Sequence, residues 1–223
     1  MSQGLMHAVV AGATGLVGGE VVKALLDDAR CETVWALVHS EPGLRHPKLH
    51  FRVVDYDNLT ADMIPGRTTA LFCCLGTTIR KAGSREAFRK VDYDYVVELA
   101  RLARIREVDQ MLLISSLGAD PKSNVFYSRV KGLVEQQVRE IGPPILSIFR
   151  PSLLLGERDE SRPGETIGAV LLKLFRFLLI GRWRKYRAIE ASTVARAMVH
   201  IAGQPGPGVS IYESDMIAEF GRR

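Results

Sequence analysis

The chain contains no apolar run long enough to cross a bilayer, which takes about 20 residues. Its longest such stretch, residues 167–180, is shorter and carries Lys173 and Arg176, so no membrane partner is expected. Cysteine is scarce. Only Cys31, Cys73 and Cys74 occur, and adjacent cysteines at an apolar strand do not form an ordinary bridge. With no CxxC and no Cys/His cluster at ligand spacing, neither a disulfide framework nor a metal site is expected, and a reducing, cytoplasmic setting is. The N-terminus lacks a basic segment followed by an apolar core, so a secretory leader is not expected either. Internal repeats and low-complexity tails are also missing. The 30 Lys and Arg outnumber the 25 Asp and Glu, but they are scattered, and without a coherent basic face nucleic acid is not an expected partner. At 223 residues the chain is long enough for one domain with a substantial core.

What the chain does have is GATGLVG at residues 12–18, directly after the apolar run at 6–11 and before a helix-like run at 20–29. Three glycines at three-residue spacing thus sit in a strand-to-helix turn. Gly12 can take a backbone geometry closed to other residues, Gly15 lets the main chain approach a pyrophosphate, and Gly18 lets the helix pack on the strand. The N–H groups of Gly12, Ala13, Thr14, Gly15, Leu16, Val17 and Gly18 then make a phosphate cradle. A bare structural turn is the alternative, and the flanking strand and helix favour the cradle.

Further strands follow. TVWALV at 33–38 ends in His39 and Ser40, with Glu41, Arg45 and Lys48 beyond. An acid at that tip would accept from the ribose 2′-hydroxyl of NAD. Its absence beside basic residues favours the 2′-phosphate of NADP(H), with NAD(H) as the alternative and a solvated loop as the bland one. The strand at 49–55 ends in Asp55 and Tyr56, an acceptor and a ring for adenine, or a turn cap. ALFCCL at 70–75 leads into Leu75, Gly76, Thr77 and Thr78, whose small residues let a cofactor lie on the backbone. Arg80, Lys81 and Arg85 follow as a basic loop, for an anionic substrate or for solvent. A helix from Ser84 then carries Phe88, Val91, Tyr95, Leu99 and Leu102 on one core-facing side.

MLLISS at 111–116 places Ser115 and Ser116 at a strand end, the edge where open α/β sheets bind ligands. Ser123 or Asn124 caps the next helix, which bears Tyr127 and Lys131 one turn apart on one face. A tyrosine keeps its proton until about pH 10, and a neighbouring ammonium stabilises the phenolate, so the pair can shuttle a proton. A sixth strand at 145–149 ends in Arg150, Pro151, Ser152 and Leu153. This alternation implies an α/β doubly wound parallel sheet of the Rossmann type, with residues 1–150 as nucleotide-binding core and 151–223 as a small substrate lobe of the same domain. In that lobe the pattern predicts a polar loop at 156–165, an apolar helix at 167–180, a basic and aromatic cluster at 182–187, a helix at 191–201 and a short strand at 209–213.

GATGLVG, ISS, YSRVK and FRPSLLLG, in this order, resemble the short-chain dehydrogenase/reductase superfamily in its extended or atypical branch. CLGTTIRKAG, VDYDYV, SSLGAD and ESRPGE resemble that branch's Tat-interacting tumour-suppressor-type NAD(P)-binding proteins. The resemblance implies Tyr127 as acid/base, Lys131 as the group that orients the nicotinamide ribose, and Ser116 as the donor to a carbonyl, with Ser115 as its competitor. It implies cofactor contacts at Gly12 to Gly18, His39, Ser40, Asp55, Tyr56, Leu75, Gly76, Thr77, Tyr127, Lys131 and Arg150 to Leu153. Asp92 departs from the asparagine that family members often carry. The implied activity is NADP(H)-dependent oxidation or reduction of a small-molecule substrate. The alternative is a nucleotide sensor or regulator with little turnover. A homodimer is compatible with either.

Overall fold

The computed structural model describes residues 5–155 and 186–222. At its centre is β1 (Met6–Ala11), hydrogen-bonded in parallel to β2 (Cys31–Val38) on one side and β4 (Ala70–Cys73) on the other. With β3 (Leu49–Val53), β5 (Gln110–Ile114), β6 (Ile145–Arg150) and β9 (Gly208–Glu213) it forms a seven-stranded parallel sheet of order β3-β2-β1-β4-β5-β6-β9. A two-stranded pair, β7 (Leu154–Leu155) with β8 (Ile189–Glu190), stands apart from it. The strand order reverses between β1 and β4, which opens a crevice at their C-terminal ends.

Both faces of the sheet are covered, which is why its central strands read as unbroken apolar runs rather than alternating ones. On one face, Ala8, Val10, Val34, Phe72 and Leu112 pack with α1 (Leu16–Asp27) and α6 (Ala191–Gly203). On the other, Val9, Ala11, Leu71, Cys73, Met111 and Leu113 pack with α4 (Tyr95–Ile105) and α5 (Phe126–Ile141). Successive residues of a strand thus enter opposite cores.

The strands fall where the apolar runs predict them. The ends move slightly: α1 starts at Leu16, inside the glycine run, four residues before the expected helix. Residues 189–222 join the main structure, since β9 pairs in parallel with β6, and α6 and α7 (Ser214–Phe220) cover the sheet on the α1 side. The predicted polar loop at 156–165, the apolar helix at 167–180 and the cluster residues Arg182, Trp183, Arg184 and Lys185 lie outside the described residues. Among the described residues no helix is long and apolar enough to cross a membrane.

Candidate functional site

Gly12 has φ +76°, and a Cβ there would stand 2.7 Å from the Cys74 carbonyl oxygen. A side chain is excluded by both strain and space. A Cβ on Gly18 would overlap the Gly12 carbonyl oxygen, so the first turn of α1 is pressed onto the end of β1. The turn closes through Gly15 N–H donating to Gly12 O at 2.9 Å. Gly15 occupies the N-cap without a capping side chain, and the first turn carries no acid. The first N–H groups of α1 therefore lack side-chain acceptors and present partial positive charge to the crevice.

That crevice is a cleft of about 1060 Å³. Thr14, Gly15, Leu16 and Val17 line one wall, Leu75, Gly76 and Thr77 the floor, and Tyr127 and Lys131 the far side. Gly12, Ala13 and Gly18 stand behind the wall as its support. The distance in sequence between the glycine turn and the tyrosine is closed by the β4 and β5 crossovers, which bring every strand end to this edge.

The helix before β5 is not regular. Short helices α2 (Ile79–Ala82) and α3 (Arg85–Arg89), capped by the Thr78 and Ser84 hydroxyls, lead into a π-helical turn, Lys90–Asp94, and then into α4. A regular period from Phe88 predicts Val91 and Tyr95 on the inner face. Asp92, four residues after Phe88, is buried as a regular period also allows, but beyond the wider turn Val96 rather than Tyr95 is buried, and Val91 and Tyr95 are half-buried. Such single turns recur at functional sites.

Asp92 is thereby placed 2.8 Å from Lys131 Nζ, in a pair that is 1% and 4% exposed. Its other oxygen accepts from Thr77 N–H at 2.8 Å. Burial alone would push the lysine toward the neutral amine, but the Asp92 carboxylate, with help from Tyr127, overrides it and raises the Lys131 pKa above the ordinary value. Tyr127 is half-buried against the ring of Phe88, 5.5 Å away.

Of the two serines, Ser115 lines the cleft with Tyr127 and Lys131. Its hydroxyl donates to Glu135 Oε1 at 2.6 Å, and Glu135, 2% exposed, also takes Arg150 in a fork of 2.9 and 2.6 Å. Tyr127, Lys131 and Glu135 follow each other at four-residue steps along α5, so one face of the helix carries all three. Ser116, the serine expected to donate, is not on the cleft wall, and its buried Oγ has no hydrogen-bond partner among the described residues. Ser115 and not Ser116 shares the α5 face because alternation points the residue after Leu113 by two, Ser115, to that side.

Other expected contacts lie elsewhere. Arg150 is held by Glu135, and Ser152 bonds to Ser214 and to the Arg187 carbonyl. Pro151 is buried and Leu153 is exposed. The cleft is lined instead by the next residues, Leu154 and Leu155, together with Glu190, Ala191 and Ser192 across the small β7-β8 pair. Asp55 accepts from Asp57 N–H and the Asn58 amide, as a turn cap does, and Tyr56 is buried in the core with its ring tilted on His39. His39 and Ser40 are exposed. Lys48, grouped above with the 2′-phosphate, donates to the carbonyls of Leu26 and Asp28 past the C-terminal end of α1. It precedes β3, and the entry end of a parallel strand is the edge opposite the cleft. Lys81 lines the cleft, whereas Arg85 lies over the ring of Phe126. The α5 start also differs: Val125 is its N-cap, and the hydroxyl of Ser123, two residues earlier, accepts from Val125 N–H. Asp92 had a signal, its departure from the family asparagine; Glu190 to Ser192 had none, being brought in by strand pairing across more than thirty residues.

Comparison with known proteins agrees with this architecture. The family model described as the NAD dependent epimerase/dehydratase family matches residues 8–213. The chain is 41% identical over 173 residues to the protein HTATIP2 of Rattus norvegicus, covering 76% of this chain and 69% of that protein. It is 31% identical over 206 residues to the mitochondrial protein FMP52 of Debaryomyces hansenii, covering 90% and 89%. Among solved structures it resembles MoeE5 in complex with UDP-glucose and NAD, with a TM-score of 0.70 at 15% identity over 96% of this chain and 80% of that one. It also resembles UDP-N-acetylglucosamine 4-epimerase from Methanobrevibacter ruminantium M1, with a TM-score of 0.68 at 17% identity over 94% and 77%. At these identities the structures share the fold.

Proposed function

The chain belongs to the NAD dependent epimerase/dehydratase family, and from that membership we propose that it is an NADP(H)-dependent oxidoreductase of the short-chain dehydrogenase/reductase type, acting on a small carbonyl or alcohol substrate. The observation that carries this is one cleft with the uncapped start of α1 on one wall and Tyr127, Lys131 and Ser115 on another. A dinucleotide fits it by the tests this chain offers: a turn whose backbone at Gly12 leaves no room for a Cβ against the Cys74 carbonyl, and a helix start with no acid in its first turn.

When bound, the cofactor supplies hydride transfer at the substrate carbon. The chain's own residues do the rest. N–H groups of residues 14–17 hold the pyrophosphate. Lys131 holds the nicotinamide ribose and presents its charge to Tyr127. The phenol of Tyr127 donates a proton to, or removes one from, the substrate oxygen. Ser115, the serine on the cleft wall, gives its own proton to Glu135 and turns its lone pairs to a substrate hydroxyl. NADP(H) is preferred over NAD(H) because β2 ends in His39 and Ser40 with no acid to take the 2′-hydroxyl. Leu154, Leu155 and Ser192, from the part of the chain after β6, contribute the substrate side. The cysteine usage supports a cytoplasmic location, with the mitochondrion, named for the FMP52 relatives, as the alternative that cell fractionation separates.

Tyr127→Phe tests the reading. Nucleotide binding, followed by the thermal shift it produces, is expected to persist, while oxidation or reduction across a panel of carbonyls and alcohols falls to background. A wild-type protein that binds nucleotide but turns over nothing above the Tyr127→Phe background would replace this reading by that of a nucleotide sensor.

A further inference from the structure

Asp92 is the feature of the cleft that proton shuttling by Tyr127 and Lys131 does not call for. A carboxylate this deeply buried needs a reason, because burying charge without full compensation costs more than an apolar residue would. It sits in a π-helical turn, one four-residue helical step from the buried Phe88, and its neighbour Val91 is only half-buried. Its two oxygens have separate partners: one faces Lys131 Nζ at 2.8 Å, the other takes Thr77 N–H at 2.8 Å. A Cβ on Gly76 would stand 3.5 Å from the Asp92 carboxylate and 3.9 Å from Lys131 Nζ. Carboxylate, ammonium and the backbone after β4 thus form one packed unit on the cleft floor.

We propose that Asp92 is a positioning residue that makes a buried, charged Lys131 sustainable and ties that charge to the Gly76-Thr77 turn. This rests on the reading of Lys131 as a cofactor-facing group, and its test needs neither substrate nor cofactor. Lys131 then stands in the site as an ammonium before any ligand arrives, with an orientation set by the loop on which the cofactor is to lie. Removal of the carboxylate charge leaves burial unopposed, and a buried lysine without a counter-charge loses its proton at lower pH.

The other charged or titratable groups near Lys131 do not replace Asp92. Cys73 faces it from β4 and Tyr127 from its own helix, and burial pushes the Cys73 thiol up to about 12. Glu135, one turn further along α5, is engaged by Arg150 and Ser115. Lys81, from α2, lines the same cleft with like charge. Glu20 is paired with Lys23 at 2.8 Å, and Glu190 enters the lining from the β7-β8 pair.

Asp92→Asn keeps the shape and an oxygen for Thr77 N–H but removes the charge. The probe is acetic anhydride, with acetylation of Lys131 followed by peptide mass spectrometry across pH, since only the neutral amine reacts. In Asp92→Asn the midpoint is expected at least about one pH unit lower than in wild type, which makes Lys131 acetylation at pH 8 about tenfold faster. Equal rates in the two proteins would overturn the proposal, because a purely structural Asp92 is replaced by asparagine without changing the lysine. Should the variant fail to fold, the side-chain NMR signal of Lys131 in the wild type, identified by its loss in Lys131→Met, decides the matter. It is expected to keep its proton past pH 10.5, the ordinary lysine value, and titration below that value overturns the assignment.

Discussion

Two adjacent glycines of α1 are expected to respond to the same substitution with opposite signs. In both, alanine removes the conformational freedom of glycine inside a helix, a gain of about 0.8–1.0 kcal/mol. At Gly19 the added methyl would sit 3.6 Å from Ala13 O, an ordinary contact, so the gain stands. At Gly18 it would overlap the Gly12 carbonyl oxygen and come within 3.1 Å of Ala13 Cα. These are backbone atoms at the end of the central strand, and they move only if α1 lifts off the sheet. Overpacking of this kind costs about 1–3 kcal/mol and sometimes more; with a rigid backbone the upper figure applies, which leaves a net loss of roughly 2 kcal/mol after the helix gain. For a chain of this size a kcal/mol corresponds to about 2–4 °C. Gly18→Ala should therefore melt about 4–8 °C lower than wild type and Gly19→Ala about 2–4 °C higher. Thermal unfolding by circular dichroism, with urea midpoints as a second measure, checks both. Gly18→Ala also lifts the turn proposed to hold the cofactor, so the extra stabilisation by a nicotinamide nucleotide should shrink in it. A Gly18→Ala protein as stable as Gly19→Ala would refute the packing argument.

Glu135→Ala removes the buried partner of Arg150 and Ser115; because Arg150 is only partly buried, the loss should be about 2–3 kcal/mol rather than more, read from urea unfolding. Alkaline stability should fall in a defined window. Burial pushes the Cys31 thiol from 9.0 up to about 11 and Cys73 up to about 12, so in the unfolded chain both ionise first. Stability is complete below about pH 9 and declines above it by up to about 1.4 kcal/mol per pH unit for each thiol. Urea midpoints between pH 8 and 10.5 measure the slope, and Cys73→Ala should reduce it; an unchanged slope contradicts the assignment. Finally, His39→Asp places an acid at the end of β2, where it accepts from a 2′-hydroxyl and repels a 2′-phosphate. Thermal shifts with the two nucleotides side by side should then favour NAD, and a variant that still prefers NADP would show that the β2 tip does not set the choice.

The strands and their order of use were legible because each is a short apolar run closed by small or polar residues, and because buried parallel strands have no polar face to blur the signal. The glycine turn was legible because sterics at Gly12 and Gly18 leave the chain no other residue. Periodicity failed at residues 88–96. It assumes a constant turn, and the π-helical turn at Lys90–Asp94 changes the count by one. Proximity in sequence also misplaced a charge: Lys48 follows the tip of β2 closely, but the loop carries it to the opposite edge of the sheet, where it meets the end of α1.

By itself, then, the order of residues determined a doubly wound parallel sheet, a tight glycine turn at Gly12 to Gly18 between a strand and a helix, and Tyr127 and Lys131 on one helix face, since each follows from local sterics or from a helical or strand period. The tertiary structure alone decided which side chains share the cleft. Ser115 rather than Ser116 faces α5, Leu154 and Leu155 rather than Arg150 to Leu153 form the wall, and Asp92 closes on Lys131. Those outcomes depend on the phase of a strand at its last residue, on the packing of the Lys90–Asp94 turn against α5, and on pairings between segments far apart in the chain, none of which a local pattern carries.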